Sequence, residues 1–186
     1  LTVAGFLPDE KVTLDICLNT LMVNSSADSA NVIVDYVESV TGKNFIDLMN
    51  ERAKSLMAYN TNFCNPHGLH EDKHYTTAYD IYLMFQECIK DETFVNIINQ
   101  DSCTVSFVRD GKQNKVTYNA TNWYAQNKVA KPDNVDILGG KTGTTDEGGY
   151  CLVLLERDEQ ENNYISNNDS HYYRVFCSSF YRRTVS

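Results

Sequence analysis

The stretch Val135-Asp136-Ile137-Leu138-Gly139-Gly140-Lys141-Thr142-Gly143-Thr144-Thr145-Asp146-Glu147-Gly148-Gly149-Tyr150-Cys151-Leu152-Val153-Leu154-Leu155-Glu156 decides the fold. Val135 to Thr145 and Tyr150 to Glu156 are rich in the β-branched, aromatic and aliphatic residues that suit a pleated surface. The acidic residues and glycines between them suit a turn, so the pattern predicts an antiparallel hairpin. Upstream, Cys103 to Val108 and Lys115 to Tyr118 flank Arg109-Asp110-Gly111-Lys112, where Asp-Gly predicts a second hairpin. Before Ser102 the period changes. Leu14 to Val23 is an apolar run that Thr13 can cap as a helix. Ala30, Ile33, Val34, Val37 and Val40 recur at helical spacing up to Gly42. Asn44 can cap a third helix with Phe45, Leu48, Met49, Ala53 and Leu56 on one face. Thr77-Ala78-Tyr79-Asp80 has capping-box spacing and opens a helix through Ile89, and Phe94 to Ile98 forms a short one. Helices followed by strands define the α+β class: a helical N-terminal half packed on an antiparallel β-sheet formed mainly by the C-terminal half. With no repeat and no proline-rich linker, residues 1–186 are read as a single domain.

Composition narrows the function. Hydrophobic residues make up 42% of the 186, enough for a core, and the formal net charge of -9 repels phosphate backbones, which excludes nucleic acid as a partner. No run of about eighteen apolar residues is present to span a membrane. The aromatic residues, mostly tyrosine and phenylalanine, read as core and rim. The six cysteines, Cys17, Cys64, Cys88, Cys103, Cys151 and Cys177, include no C-x-x-C pair. Apolar neighbours around Cys17 and Cys151 favour buried free thiols, although spacing alone leaves a disulfide set open. His67, His70 and His74, with Glu71 and Asp72 between, hold zinc-ligand residue types. Pro66 and Gly68 break the helix that would align them, so this segment is read as a polar turn with no metal.

The chemistry-bearing signal is Lys141-Thr142-Gly143-Thr144. An ammonium beside hydroxyls suits a substrate carboxylate. Glycine at 143 lets a ligand backbone lie against the strand. The amide of Thr144 can then donate to a developing oxyanion.

K-T-G is also one of three elements of the penicillin-recognising serine enzymes. Leu21-Met22-Val23-Asn24-Ser25-Ser26-Ala27-Asp28-Ser29-Ala30 resembles the second-motif segment, S-x-N-D-A-A, of the serine-type D-alanyl-D-alanine carboxypeptidases, the small penicillin-binding proteins. Met49-Asn50 with Ala53, then Asn60-Thr61-Asn62-Phe63-Cys64-Asn65-Pro66-His67-Gly68-Leu69, and His74-Tyr75-Thr76-Thr77-Ala78-Tyr79-Asp80 are similar to further segments of that family. Ordered matches run from about Gly5 to Glu156. The resemblance implies an enzyme that removes the terminal D-alanine from peptidoglycan stem peptides through an acyl-enzyme and is acylated by β-lactams. It implies no cofactor and an extracytoplasmic location in a bacterial envelope. It assigns Ser25 to proton relay, Lys141 to electrostatic support, and Thr142, Gly143 and Thr144 to the substrate.

Two departures qualify it. Ala27 stands where the family has asparagine; Ser29-Ala30-Asn31 is a literal S-x-N, but the helix beginning near Asp28 carries it away from the loop. No serine of this chain has a lysine three residues later, so the nucleophile segment is absent. The chain also begins at Leu1 rather than Met. It is therefore read as the C-terminal portion of a catalytic domain, or alternatively as a truncated, inactive member that at most binds peptidoglycan termini. After Tyr164-Ile165-Ser166 the aliphatic strand of the family is not visible, and Val175-Phe176 belongs to a weak strand pattern in the tail.

Overall fold

The computed structural model describes residues 1–169. Within them the helices come first: α1 Leu14–Asn24, α2 Ala27–Thr41, α3 Phe45–Ser55, α4 Ala78–Cys88 and α5 Glu92–Ile98. The strands follow: β1 Ser102–Arg109, β2 Lys112–Asn119, β3 Val135–Thr145, β4 Gly149–Asp158 and β5 Asn163–Asp169. The α+β class and its segregation are as the sequence predicts. The three capping residues also act as expected. Thr13 accepts from the Ile16 amide at 3.2 Å, Asn44 from Asp47 at 3.0 Å, and Thr77 from Asp80 at 3.1 Å. Each satisfies an amide that has no partner inside its helix.

The expected single sheet is instead two antiparallel sheets, a β1–β2 hairpin and a β3-β4-β5 sheet. Each owns a separate apolar cluster. Cys103, Val105 and Phe107 alternate inward along β1 and meet Val23 and Ile97. Leu155 of β4 and Ile165 of β5 meet Phe85 and Ile98. Successive residues Ile97 and Ile98 of α5 thus enter different clusters, and Met22 of α1 touches both. These two helices stitch the sheets together, which brings the C-terminal end of α1 toward β3.

Three further expectations are corrected. Cys151 is exposed on β4, whereas Cys17 and Cys103 are buried free thiols. Burial pushes the Cys17 thiol up to about 11. A strand does follow Tyr164-Ile165-Ser166, because β5 pairs with β4 over Asn163 to Asp169. Ladder bonds use only backbone groups, so one well-placed apolar residue, Ile165, suffices to seat an otherwise polar strand. Helix α4 ends at Cys88, with Ile89 as its cap. The strand pattern at Val175-Phe176, and Cys177, lie outside the described residues.

The N-terminal segment braces the turn between α1 and α2. Both oxygens of Asp28 accept from the amides of Ala4, Gly5 and Phe6 at 2.8–3.1 Å, and the Ala27 amide donates to the Thr2 carbonyl at 2.9 Å. The Tyr118 hydroxyl donates to the Ala4 carbonyl at 2.7 Å, and Arg109 pairs with Glu10.

Candidate active site

Helix α1 ends because Ser25 takes the left-handed conformation, φ 59° and ψ 39°, and its amide returns to the Thr20 carbonyl. A non-glycine residue there carries a steric penalty and needs surrounding support. The brace on residues 27 and 28 supplies that support. The result is an elbow of two residues, Ser25 and Ser26, between two helices, with the Ser25 hydroxyl turned toward β3.

On β3, Lys141 reaches back to the same elbow. Its Nζ donates to Ser25 Oγ and to the Thr142 carbonyl at 2.7 Å. Among the described residues no carboxylate pairs with it, and burial pushes its pKa down from 10.5 to about 8. A lysine so placed is still mostly protonated at neutral pH, yet it is within reach of the neutral form. It can therefore hold an anion or exchange a proton with a neighbouring hydroxyl.

The strand itself divides into two parts. Gly139 has φ +137°, and a Cβ there would lie 2.4 Å from the Ile98 carbonyl oxygen. At Gly140 a Cβ would lie 2.3 Å from the Val153 carbonyl oxygen and 2.7 Å from Leu154 Cδ2. At Gly143 a Cβ would meet only Cys151 Cβ, at an ordinary 3.8 Å. Gly143 and Thr144 are exposed, and β3 is an edge of its sheet among the described residues. An edge strand offers unpaired backbone groups to an extended peptide.

The structure joins Ser25, Lys141 and Thr142 in one hydrogen-bonded group, with Gly143 and Thr144 continuing along the edge. It keeps Ser29-Ala30-Asn31 apart. Ser29 is buried against Thr20, with the two hydroxyls 2.7 Å apart, and Asn31 is exposed on α2. Ala27 is buried at the start of α2. One residue that the sequence did not single out belongs to the group. Thr121 Oγ1 lies 2.5 Å from Thr142 Oγ1, and the Thr121 amide donates to the Val23 carbonyl at 3.0 Å. Nothing local marks Thr121, because its partner lies 21 residues away and on another element.

The histidine segment forms a turn closed by pairing of Asn62 with Tyr75. His74 Nδ1 accepts from the Cys64 amide at 3.1 Å, and burial pushes its imidazole pKa down. Asn65 orders the turn, accepting from the Gly68 amide and donating to the Leu69 carbonyl and to Glu71 at 2.8–2.9 Å. Among the described residues, no three histidine, cysteine or acidic side chains are arranged to hold a metal ion.

Helices on an antiparallel sheet, with a lysine of an edge strand bonded to a serine at a helix elbow, define the D,D-peptidase class of fold. A DD-transpeptidase mutant from Streptomyces superposes with a TM-score of 0.78 at 26% identity, over 90% of this chain and 65% of that one. The chain belongs to the D-alanyl-D-alanine carboxypeptidase family, whose profile matches residues 3–165. Curated relatives include the D-alanyl-D-alanine carboxypeptidases DacF of Bacillus subtilis and DacA of Escherichia coli. DacF is 31% identical over 78% of this chain, and DacA is 27% identical over 82%. The chain spans about a third of the length of these two relatives, 35% in each case.

Proposed function

We propose that this chain supplies the proton-relay and substrate-carboxylate half of the active centre of a serine-type D-Ala-D-Ala carboxypeptidase. The contact that carries the reading is Lys141 Nζ on Ser25 Oγ, formed across 116 residues of sequence, with no carboxylate pairing with the lysine among the described residues. In the whole enzyme a serine oxygen attacks the carbonyl between two D-alanines of a peptidoglycan stem peptide. Its proton passes to a base, and the C–N bond breaks as the terminal D-alanine leaves with a proton. Water then cleaves the acyl ester. Ser25 relays protons to the leaving amine. Lys141 stabilises charge around it, and Thr142 and Thr144 hold the terminal carboxylate. Gly143 leaves room for the peptide backbone, and the Thr144 amide donates to the oxyanion.

β-Lactams, which present a strained amide and a carboxylate in the same arrangement, acylate the same serine. No serine here has a lysine at +3. The acylated serine then belongs to the part of the family's length that this chain does not span. Residues 1–186 are taken as part of one catalytic domain. Substrate and family support a location outside the cytoplasm, in the bacterial envelope, and no described helix is long and apolar enough to cross a membrane.

The test is fluorescent-penicillin labelling followed by intact mass. This chain alone should gain no adduct. In the whole protein the label should appear, and Lys141→Ala should slow acylation about 100-fold with the melting profile retained. An adduct on any serine of this chain, or wild-type acylation by the Lys141→Ala protein, would overturn the reading.

A further inference from the structure

The chain has a single tryptophan, Trp123, and it stands two residues after Thr121. Along 120–123 burial alternates. Ala120 and Asn122 are buried at 4% exposure each, Thr121 is half-buried, and Trp123 is 62% exposed. Thr121 and Trp123 both reach solvent, on either side of the buried Asn122. Thr121 is bonded to Thr142, one of the two threonines proposed to hold the carboxylate, and Trp123 follows Thr121 within about 7 Å of chain.

The backbone that presents it is fixed on both sides. Asn122 Oδ1 accepts from the Tyr124 amide at 3.0 Å, and the Asn122 carbonyl accepts from the Gln126 amide at 3.2 Å. The Trp123 carbonyl accepts from the Lys128 amide at 2.9 Å, and Gln126 Nε2 donates to the Ala120 carbonyl. An aromatic ring on a fixed turn loses little conformational entropy when it meets a ligand, and it offers apolar area that the hydroxyls around it lack. Packing does not account for an indole left in water at this point, since the neighbouring Ala120 already fills the apolar cluster beneath.

We propose that Trp123 is a specificity-determining residue of the site, forming the apolar wall against which the C-terminal residue of the peptide lays its side chain. This rests on the carboxypeptidase reading, because Thr142 and Thr144 must hold that residue's carboxylate. The wall favours peptides whose last residue carries an aliphatic side chain over those ending in glycine.

The sole tryptophan is its own reporter. A diacetylated lysyl-D-alanyl-D-alanine peptide, and the same peptide ending in glycine, are titrated into the chain. Trp123 emission is followed together with the amide resonances of Thr142 and Thr144. The alanine peptide should shift the resonances and the emission with one midpoint, and the glycine peptide should bind about 3- to 10-fold more weakly. Trp123→Ala should erase that preference and weaken the alanine peptide by a similar factor, while Trp123→Phe should restore most of both. Resonance shifts at Thr142 with unchanged emission, or an intact preference in Trp123→Ala, overturn the role of Trp123 and leave the carboxypeptidase reading standing. If neither peptide moves Thr142, the carboxylate assignment falls, and this inference falls with it.

Discussion

Strand β3 uses glycine twice for opposite reasons. At Gly139 and Gly140 the protein fills the space that a side chain would need, with the Ile98 carbonyl on one residue and Val153 and Leu154 on the other. At Gly143 nothing in the protein comes closer than ordinary contact. The first pair therefore lets α5 and β4 close on the strand and sets where Lys141 emerges. The third glycine is not required by packing, which leaves room there for the ligand proposed above. Sequence alone presents the three as one glycine-rich run; only the neighbours separate the two that packing requires from the one that it does not.

Substitution by alanine breaks or sharpens that contrast. Gly140→Ala must displace the backbone of β4, and overpacking of this kind costs about 1–3 kcal/mol, more where backbone resists. Gly139→Ala adds a positive φ to a clash of similar closeness, so it should be at least as damaging. Urea unfolding should show both as severely destabilised or unfolded. Gly143→Ala should unfold within about 0.5 kcal/mol of wild type. Its peptide affinity should nevertheless fall about 10-fold or more, because the added methyl occupies the space the ligand needs. If Gly143→Ala is as unstable as Gly140→Ala, the contrast is gone and all three glycines serve the fold.

Lys141 lies between the two kinds of glycine and tests whether its burial costs the fold anything. Its folded pKa, about 8, lies below the ordinary 10.5. The folded state therefore disfavours the charged form. Between pH 8 and 10.5 the unfolded chain binds more protons than the folded one, so stability rises with pH across that window. Below pH 8 the penalty is present in full. Lys141→Met, which keeps most of the side chain's length without the charge, should raise stability at pH 7 by about 1–2 kcal/mol, allowing for partial solvent screening. That gain should shrink toward zero above pH 10.5. Thermal melts of both proteins at pH 7 and pH 10.5 check it. A Lys141→Met protein less stable than wild type at pH 7 would mean that the contacts to Ser25 and Thr142 outweigh desolvation.

Much of this arrangement is legible in the sequence, and the reason differs by element. The caps at Thr13, Asn44 and Thr77 and the Asp110-Gly111 turn act over three or four residues, so local chemistry determines them. The K-T-G strand and the Ser25 elbow are legible because their residue types are unusual together. What is not legible depends on distant partners. Two sheets rather than one reflect which strands pair, and the split of Ile97 and Ile98 between the two clusters is likewise encoded by no periodicity. β5 is held by ladder bonds that ignore side-chain identity, so Asn163 to Asp169 gives almost no signal. Cys151 sits in an apolar run, but its face of β4 is open, and alternation along a strand does not say which face is covered.

Thr121 is the smallest and sharpest case, since it belongs to the fold by its backbone and to the proposed site by its side chain. Its amide, bonded to the Val23 carbonyl, ties the segment after β2 to the end of α1, and any residue but proline can do this. Its hydroxyl can do only one thing the structure shows, which is to fix the direction of the Thr142 hydroxyl. Thr121→Val keeps shape and backbone and removes that hydroxyl alone. The loss of one partly exposed hydrogen bond costs about 0.5–1.5 kcal/mol, so the fold should survive with a small drop in midpoint. With Thr142 free to rotate, its hydroxyl spends less time aimed at a carboxylate, and the affinity for a carboxylate-terminated peptide should fall about 3- to 10-fold. The same peptide with its C-terminus amidated provides the control, because an orientation that serves a carboxylate is of no use to an amide. If Thr121→Val weakens both peptides equally, the residue acts through the fold; if it weakens neither, the hydroxyl pair is only surface structure and the carboxylate must be held elsewhere along β3.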